Sequence, residues 1–154
     1  MPVWAGGQSM AKAKKSAWPA LLTTRALMVK AVEKRLADAG LPELSWYDVL
    51  WALEQAPSGQ RRMHELASAT VITRSNMTRL VDRLEAAGLV ARASVGEDRR
   101  GAFALLTPAG RAMRARMWKV YGPAIADLFD AHLTESEGAA LRACLLRVIQ
   151  AARA

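Results

Sequence analysis

Residues 73–88 read TRSNMTRLVDRLEAAG, and few folds accommodate that stretch. Met77, Leu80, Val81 and Leu84 recur at i, i+3, i+4 and i+7, the spacing of a helix buried along one stripe. At about 100° per residue, Ser75, Arg79 and Asp82 point away from that stripe. Asn76, Thr78 and Arg83 flank them and Arg74 stands at the start. Thr73 is positioned to cap the helix, and Gly88 to end it in a left-handed turn. Just upstream, HELASAT (residues 64–70) predicts a short helix with Leu66 and Ala67 inward, joined to the second by Val71-Ile72. Two short helices with a tight connection read as a helix-turn-helix over about residues 64–87. Other small helical hairpins share this spacing, so the polar face has to decide between them.

That face carries short hydroxyl and amide side chains with arginine, crowded into the first half of the helix. Such groups suit a major groove, where arginine pairs with guanine O6/N7 and asparagine with adenine N6/N7. A merely solvated face favours Glu and Lys, and residues 73–81 contain neither. Thr73, Arg74, Ser75, Asn76, Thr78 and Arg79 are therefore the candidate DNA-reading residues. The formal net charge of +8 agrees with a polyanionic partner, although many basic proteins bind none.

The next segment supports the same reading. Leu89–Ala93 and Ala102–Leu106 predict two short strands around a loop, Glu97-Asp98-Arg99-Arg100, with Gly96 and Gly101 at its shoulders. A hairpin after a recognition helix is the wing of a winged helix, here about residues 89–106. Its tip lies beside the DNA backbone, where a narrow minor groove attracts arginine. Arg99 and Arg100 are placed to reach it, and Asp98 to hold one guanidinium by a charge-assisted bond. A solvated tip with incidental charges is the other reading of the same residues.

Around this unit lie further helices. One is predicted from Trp18-Pro19 to about residue 39, with Leu22, Ala26, Val29, Val32 and Leu36 as its stripe and Gly40 as its stop. A second opens at Ser45, read as its cap with Asp48 near its third position, and buries Trp46, Val49, Leu50 and Leu53 before a turn at Ala56-Pro57-Ser58-Gly59. Thr107-Pro108 starts another, in which Gly122-Pro123 is expected to produce a kink or break. Thr134-Glu135-Ser136-Glu137 is a capping box for the last, whose stripe is Leu141, Cys144, Leu145, Val148 and Ile149. The expected fold is mainly α with a small β-hairpin: a winged helix-turn-helix over residues 18–152 after a flexible basic tail of residues 1–17. The winged helix itself does not need the stripes of helices 19–39 and 108–152. They require another surface, and a second copy of the chain is the simplest.

Several classes are set aside. No apolar run approaches the ~20 residues of a membrane span, and the first residues are too polar for a secretory signal. The one cysteine forbids an internal disulfide, so a cytoplasmic setting is expected. Cys144 falls in an apolar stripe and is expected to pack there. His64 and His132 lack metal-ligand spacing, and no nucleophile elbow, phosphate-binding glycine loop or paired-cysteine motif appears. Neither an enzyme nor a cofactor or metal site is expected.

The order of elements resembles the MarR (multiple antibiotic resistance regulator) family of bacterial transcription regulators over about residues 18–152. The resemblance is most specific in Thr73 to Gly110. A Ser/Thr-rich start to the recognition helix is followed by LVDRLE (80–85), GLV (88–90), Asp98-x-Arg100 and LT-x-x-G ending at Gly110. It implies that Asp98 orients Arg100 into the minor groove and that the terminal helices interlock two chains. The dimer would read a pseudo-palindromic operator, most simply as a repressor. The family also implies a small effector, commonly an anionic aromatic, in a cleft between dimer helices and winged helix. Trp18, Arg25, Met28, Trp46, Tyr47 and Trp51 are placed to line such a cleft, with core or dimer packing the other role open to each. Oxidation-sensing relatives carry a cysteine near the start of the first helix, and this chain has none there. Two rival functions stay open: a winged-helix protein-interaction module and a sequence-indifferent architectural DNA binder, the latter separable by its specificity ratio.

Overall fold

The computed structural model describes residues 15–94 and 102–154. Most of the expected tail and the wing tip, with Asp98, Arg99 and Arg100, lie outside the described residues. The chain forms α1 (Trp18–Asp38), α2 (Leu44–Glu54), a 3₁₀ turn (Pro57–Gly59), β1 (Gln60–Arg62), α3 (Met63–Ala69), α4 (Arg74–Ala86), β2 (Val90–Ser94), β3 (Ala102–Leu106), α5 (Pro108–Leu128), a second 3₁₀ turn (Asp130–His132) and α6 (Glu135–Arg153). This is a mainly helical winged helix with an antiparallel sheet in the order β1-β3-β2. Ala93 pairs with Phe103 and Ala91 with Leu105 in the hairpin, while Arg61 pairs with Ala104 on the far side of β3.

Two cores hold the fold. Val49, Leu50, Leu53, Leu66, Met77, Leu80, Val81, Leu84, Leu89, Val90 and Ala104 bury one another under the helix-turn-helix and sheet. Val32, Leu36, Tyr47, Met117 and Ala124 form a second cluster where α1, α2 and α5 meet. Trp46 and Met113 pack against both and so couple them. Arg35 on α1 adds an ion pair to Asp127 on α5 at 3.0 Å.

The joints are local and specific. Gly40 and Gly88 adopt φ of +69° and +74°, the left-handed conformation that lets each helix stop within one residue. The Leu89 N–H donates to the Leu84 carbonyl at 2.9 Å, closing the end of α4. Thr107 then ties three elements: its hydroxyl donates to the Gly88 carbonyl at 2.7 Å and accepts from the Gly110 N–H at 3.0 Å. A Cβ on Gly110 would stand 2.0 Å from the Leu89 carbonyl oxygen. The LT-x-x-G sequence is therefore the hinge pin between hairpin and α5, which only glycine can occupy at its last position.

Four expectations need correction. Helix α2 begins one residue before Ser45, so Ser45 does not cap it; Glu33 of α1 accepts the Leu44 N–H at 2.9 Å instead. Asp48 accordingly lies a turn inside the helix rather than at its third position. Helix α5 runs unbroken through Gly122-Pro123. Proline there removes only one backbone donor, and Gly122 has a different use: a Cβ on it would lie 3.0 Å from the Trp118 indole. Cys144 is exposed rather than packed, because α6 has no buried residue at all. Finally, β1 was not anticipated, being three polar residues that acquire strand structure only by pairing with β3.

Candidate nucleic-acid interface and effector cleft

Helix α4 is anchored along one side and open along the other. Met77, Leu80, Val81 and Leu84 are buried, while Arg74, Ser75, Asn76, Thr78 and Arg79 are exposed. Its N-terminus is held by Thr73, whose hydroxyl accepts the Asn76 N–H at 3.4 Å and lies 3.5 Å from the Ser75 hydroxyl. The Thr78 hydroxyl donates back to the Arg74 carbonyl at 3.2 Å. Charge then divides the helix into halves. Arg83 pairs with Glu43 at 3.0 Å, and Asp82 takes Arg92 of β2 at 2.5 Å. Arg74 and Arg79 have no acidic partner among the described residues. The first half of α4 thus presents uncompensated positive charge beside hydrogen-bonding groups. Asn76 and Arg79 face a hollow of about 630 Å³ floored by Val71, Ile72 and Leu80. Val71 is 86% exposed at the turn before α4.

A second concave site lies between α2 and α5, with a cavity of about 470 Å³. Four aromatic rings build it. Tyr47 stacks at 6.4 Å from Trp51 and 6.0 Å from Trp118, and meets Tyr121 edge-on at 5.0 Å. Arg114 enters from α5 over the Trp51 ring at 5.3 Å, its Nε 2.5 Å from Glu54 Oε2. These two atoms are buried and meet as an ion pair without hydrogen-bond alignment. Glu54 also takes Arg111 at 2.9 Å. Burial, aided by the neighbouring Glu33, pushes the Asp48 carboxyl up to about 6. Burial raises the Tyr47 and Tyr121 phenols as well.

Residues 39–101 match the model of the MarR family. AbsC, a MarR family transcriptional regulator from Streptomyces coelicolor, is 27% identical over 95% of this chain and 98% of its own, with a TM-score of 0.84. Sco3205, from the same organism and solved in complex with DNA, is 28% identical over 96% of this chain and 92% of its own, also with a TM-score of 0.84. The chain thus carries a MarR-family match over its winged helix and has the fold of these MarR family regulators. BpsR of Bordetella bronchiseptica, whose DNA binding is regulated by 6-hydroxynicotinic acid, shares the fold at a TM-score of 0.74 and 22% identity over 93% of this chain and 98% of its own. No curated protein matches the sequence.

In this chain the six helix residues singled out from sequence share one exposed end of α4, with Thr73 occupied as a cap. The six cleft residues scatter. Tyr47 and Trp51 line the aromatic cleft, and Arg25 and Met28 line an adjoining cavity of about 340 Å³ that shares Tyr121 and Ile125 with it. Trp46 is core packing between the two clusters, and Trp18 is 53% exposed on α1 and borders neither cavity. The sequence reading missed Asp48 as a cleft residue, along with Arg114, Trp118 and Tyr121. A usable signal existed: Arg114, Trp118 and Tyr121 fall at i, i+4 and i+7 on α5, as Tyr47 and Trp51 do at i and i+4 on α2. Among the described residues there is no group of acidic, histidine or cysteine side chains able to hold a metal, and no helix long and apolar enough to cross a membrane.

Proposed function

We propose that this chain is a homodimeric, sequence-specific DNA-binding transcription regulator. In this reading it is a repressor of a pseudo-palindromic operator, released when a small aromatic ligand fills the cleft between α2 and α5. The observation that carries the DNA reading is the open half of α4, where Arg74 and Arg79 have no acidic partner among the described residues and stand beside Ser75, Asn76 and Thr78. Sco3205, similar over nearly its whole length, was solved with DNA bound. Arg79 and Asn76 are assigned to base edges, Arg74, Ser75 and Thr78 to the groove wall and backbone, and Thr73 to the cap. The wing roles follow the family pattern: Asp98 orients Arg100, which with Arg99 enters the minor groove. The terminal helices α1, α5 and α6 are assigned to the dimer, residues 1–17 to a basic tail. The effector reading rests on the aromatic cleft and on BpsR, whose DNA binding responds to a small aromatic acid.

Selection of bound fragments from a random DNA pool tests the reading. The expected product is a pseudo-palindrome whose preference at one position per half-site relaxes by ~1–3 kcal/mol in Arg79→Ala. Arg100→Ala should instead weaken every sequence and lower the salt slope by about one. If neither Arg79→Ala nor Asn76→Ala alters binding, α4 does not touch DNA and a protein-interaction module takes its place. Binding that is tight but selects no sequence indicates an architectural binder.

A further inference from the structure

Resting on the effector reading, we infer that the cleft between α2 and α5 selects an organic cation carrying an aromatic group, seated between the Asp48 carboxylate and the rings of Trp118 and Tyr121. The family resemblance alone leads one to expect an anion, so the charge inventory of the cleft decides. Arg114 is the one cation lining it among the described residues, and it is already spent: Glu54 holds its Nε and Trp51 takes its guanidinium face. Glu54 in turn is shared with Arg111, which lies at the surface. Asp48 has no ion-pair or side-chain hydrogen-bond partner among the described residues, yet it is half-buried on the cleft wall.

The groups facing Asp48 come from each neighbouring element. Glu33 approaches from α1; Tyr47, Trp51 and Glu54 share α2; Arg114, Trp118 and Tyr121 come from α5. Arg61 and Arg153 border a hollow of about 390 Å³ on its other side, and neither pairs with it. The acid nearest in effect, Glu33, makes the site more negative still. The raised carboxyl, at about 6, is what an acid without a counter-ion shows. Around it stand aromatic faces of the kind that attract ammonium groups. Gly122 leaves room for the Trp118 indole, which a Cβ there would meet at 3.0 Å. Among the described residues the cleft therefore combines one negative charge without a counter-ion with a box of rings, and its one positive charge is closed off.

The test titrates the full-length protein with benzyltrimethylammonium, benzyl alcohol and benzoate by calorimetry at constant ionic strength, at pH 8 and pH 5. The ammonium is expected to bind at least tenfold more tightly than either other probe at pH 8, and to lose most of that advantage at pH 5 as Asp48 takes up a proton. Asp48→Asn, nearly isosteric, should lower ammonium affinity about tenfold and leave benzyl alcohol unchanged, whereas Trp118→Leu should weaken both. Benzoate binding more tightly than the ammonium, ammonium affinity indifferent to Asp48→Asn, or binding of none of the three overturns the inference. Operator binding measured alongside separates the two readings. Asp48-dependent ammonium binding that leaves DNA affinity untouched upholds the cleft assignment and sinks the effector role; benzoate that binds and releases DNA does the reverse.

Discussion

Helices α4 and α6 are built from similar material and end in opposite states. In α4, four apolar residues in a span of thirteen are buried against α2, α3 and the sheet. In α6, nineteen residues opened by a complete Thr134–Glu137 capping box bury none, and Leu146, Val148 and Ile149 remain 45%, 62% and 45% exposed. Helix α1 repeats the contrast along its own length: Val32 and Leu36 are buried, whereas Leu22 is 48% and Leu27 56% exposed. Capping and periodicity make a helix, but they do not say where its stripe goes. Where the chain closes over the stripe, the opposite polar face is left free to recognise something else. Where it does not, the stripe itself is the surface in search of a partner.

The sharpest way to break the closed region is at its tightest joint. Gly110→Ala drives a Cβ into the Leu89 carbonyl oxygen and to within 2.8 Å of Leu106, and backbone cannot yield as a flexible side chain does. A loss of ~3 kcal/mol is expected, or a melting temperature lower by about 6–12 °C for a chain this size. A variant that melts within about 2 °C of the parent would mean the hairpin and α5 are not locked together there. The open region is broken differently. Ile149→Asp should leave the helical circular dichroism intact and raise the proposed dimer's dissociation constant at least about 100-fold, or ~2.7 kcal/mol. Sedimentation at micromolar concentration reads it directly: the parent near twice the chain mass, the variant near one. A parent that is already monomeric removes the second copy and the palindrome with it.

The division also explains what could be read from residues alone. Thr73, Met77, Leu80, Val81, Leu84 and Gly88 act within one helix and its two ends, so their spacing carries their roles. Thr107, Pro108 and Thr134 are legible for the same reason. Strand β1 was not, since Gln60–Arg62 is polar and becomes a strand only through partners at 103–105. The cap of α2 was misassigned because its acceptor, Glu33, belongs to another helix. The cleft suffered most: Tyr47 and Trp51 were visible on α2, but Asp48 beside them was read as a helix-end residue and the facing wall of Arg114, Trp118 and Tyr121 comes from α5, and no local pattern reports which two helix faces will meet. Trp46, for which both a cleft role and core packing were open, packs against the two cores.

Asp48 sits at the seam of the two regions and sharpens the comparison through pH. Its folded carboxyl is raised from 3.8 to about 6, so the folded state holds the proton more tightly than the unfolded chain. Stability from this group is therefore fully present below about pH 4 and is lost as pH rises through about 6. Asp48→Asn should recover it: ~2 kcal/mol in urea unfolding at pH 8, allowing for its partial exposure, and almost none at about pH 3. A variant no more stable than the parent at pH 8 would show that a cation on the protein already answers Asp48, which would also remove the ground for a cationic ligand.

The smallest effect is expected at Gly138, the counterpart of Gly110 in the open region. It lies in the second turn of α6, and a Cβ there would meet no atom within 4 Å. Glycine in a helix interior costs ~0.8–1.0 kcal/mol against alanine, so Gly138→Ala should raise the melting temperature by about 2–4 °C. The same substitution thus carries opposite signs in the two regions, because one glycine is crowded by backbone and the other faces open space. Its dependence on assembly is the informative part. If Gly138→Ala stabilises the chain and leaves sedimentation unchanged, this turn of α6 stays clear of any second copy, and the interface lies further along, towards Leu145 and Ile149. If it destabilises the protein and raises the dissociation constant together, a partner backbone comes as close to Gly138 as Leu89 does to Gly110, and the open face of α6 is closed over its first turns as well.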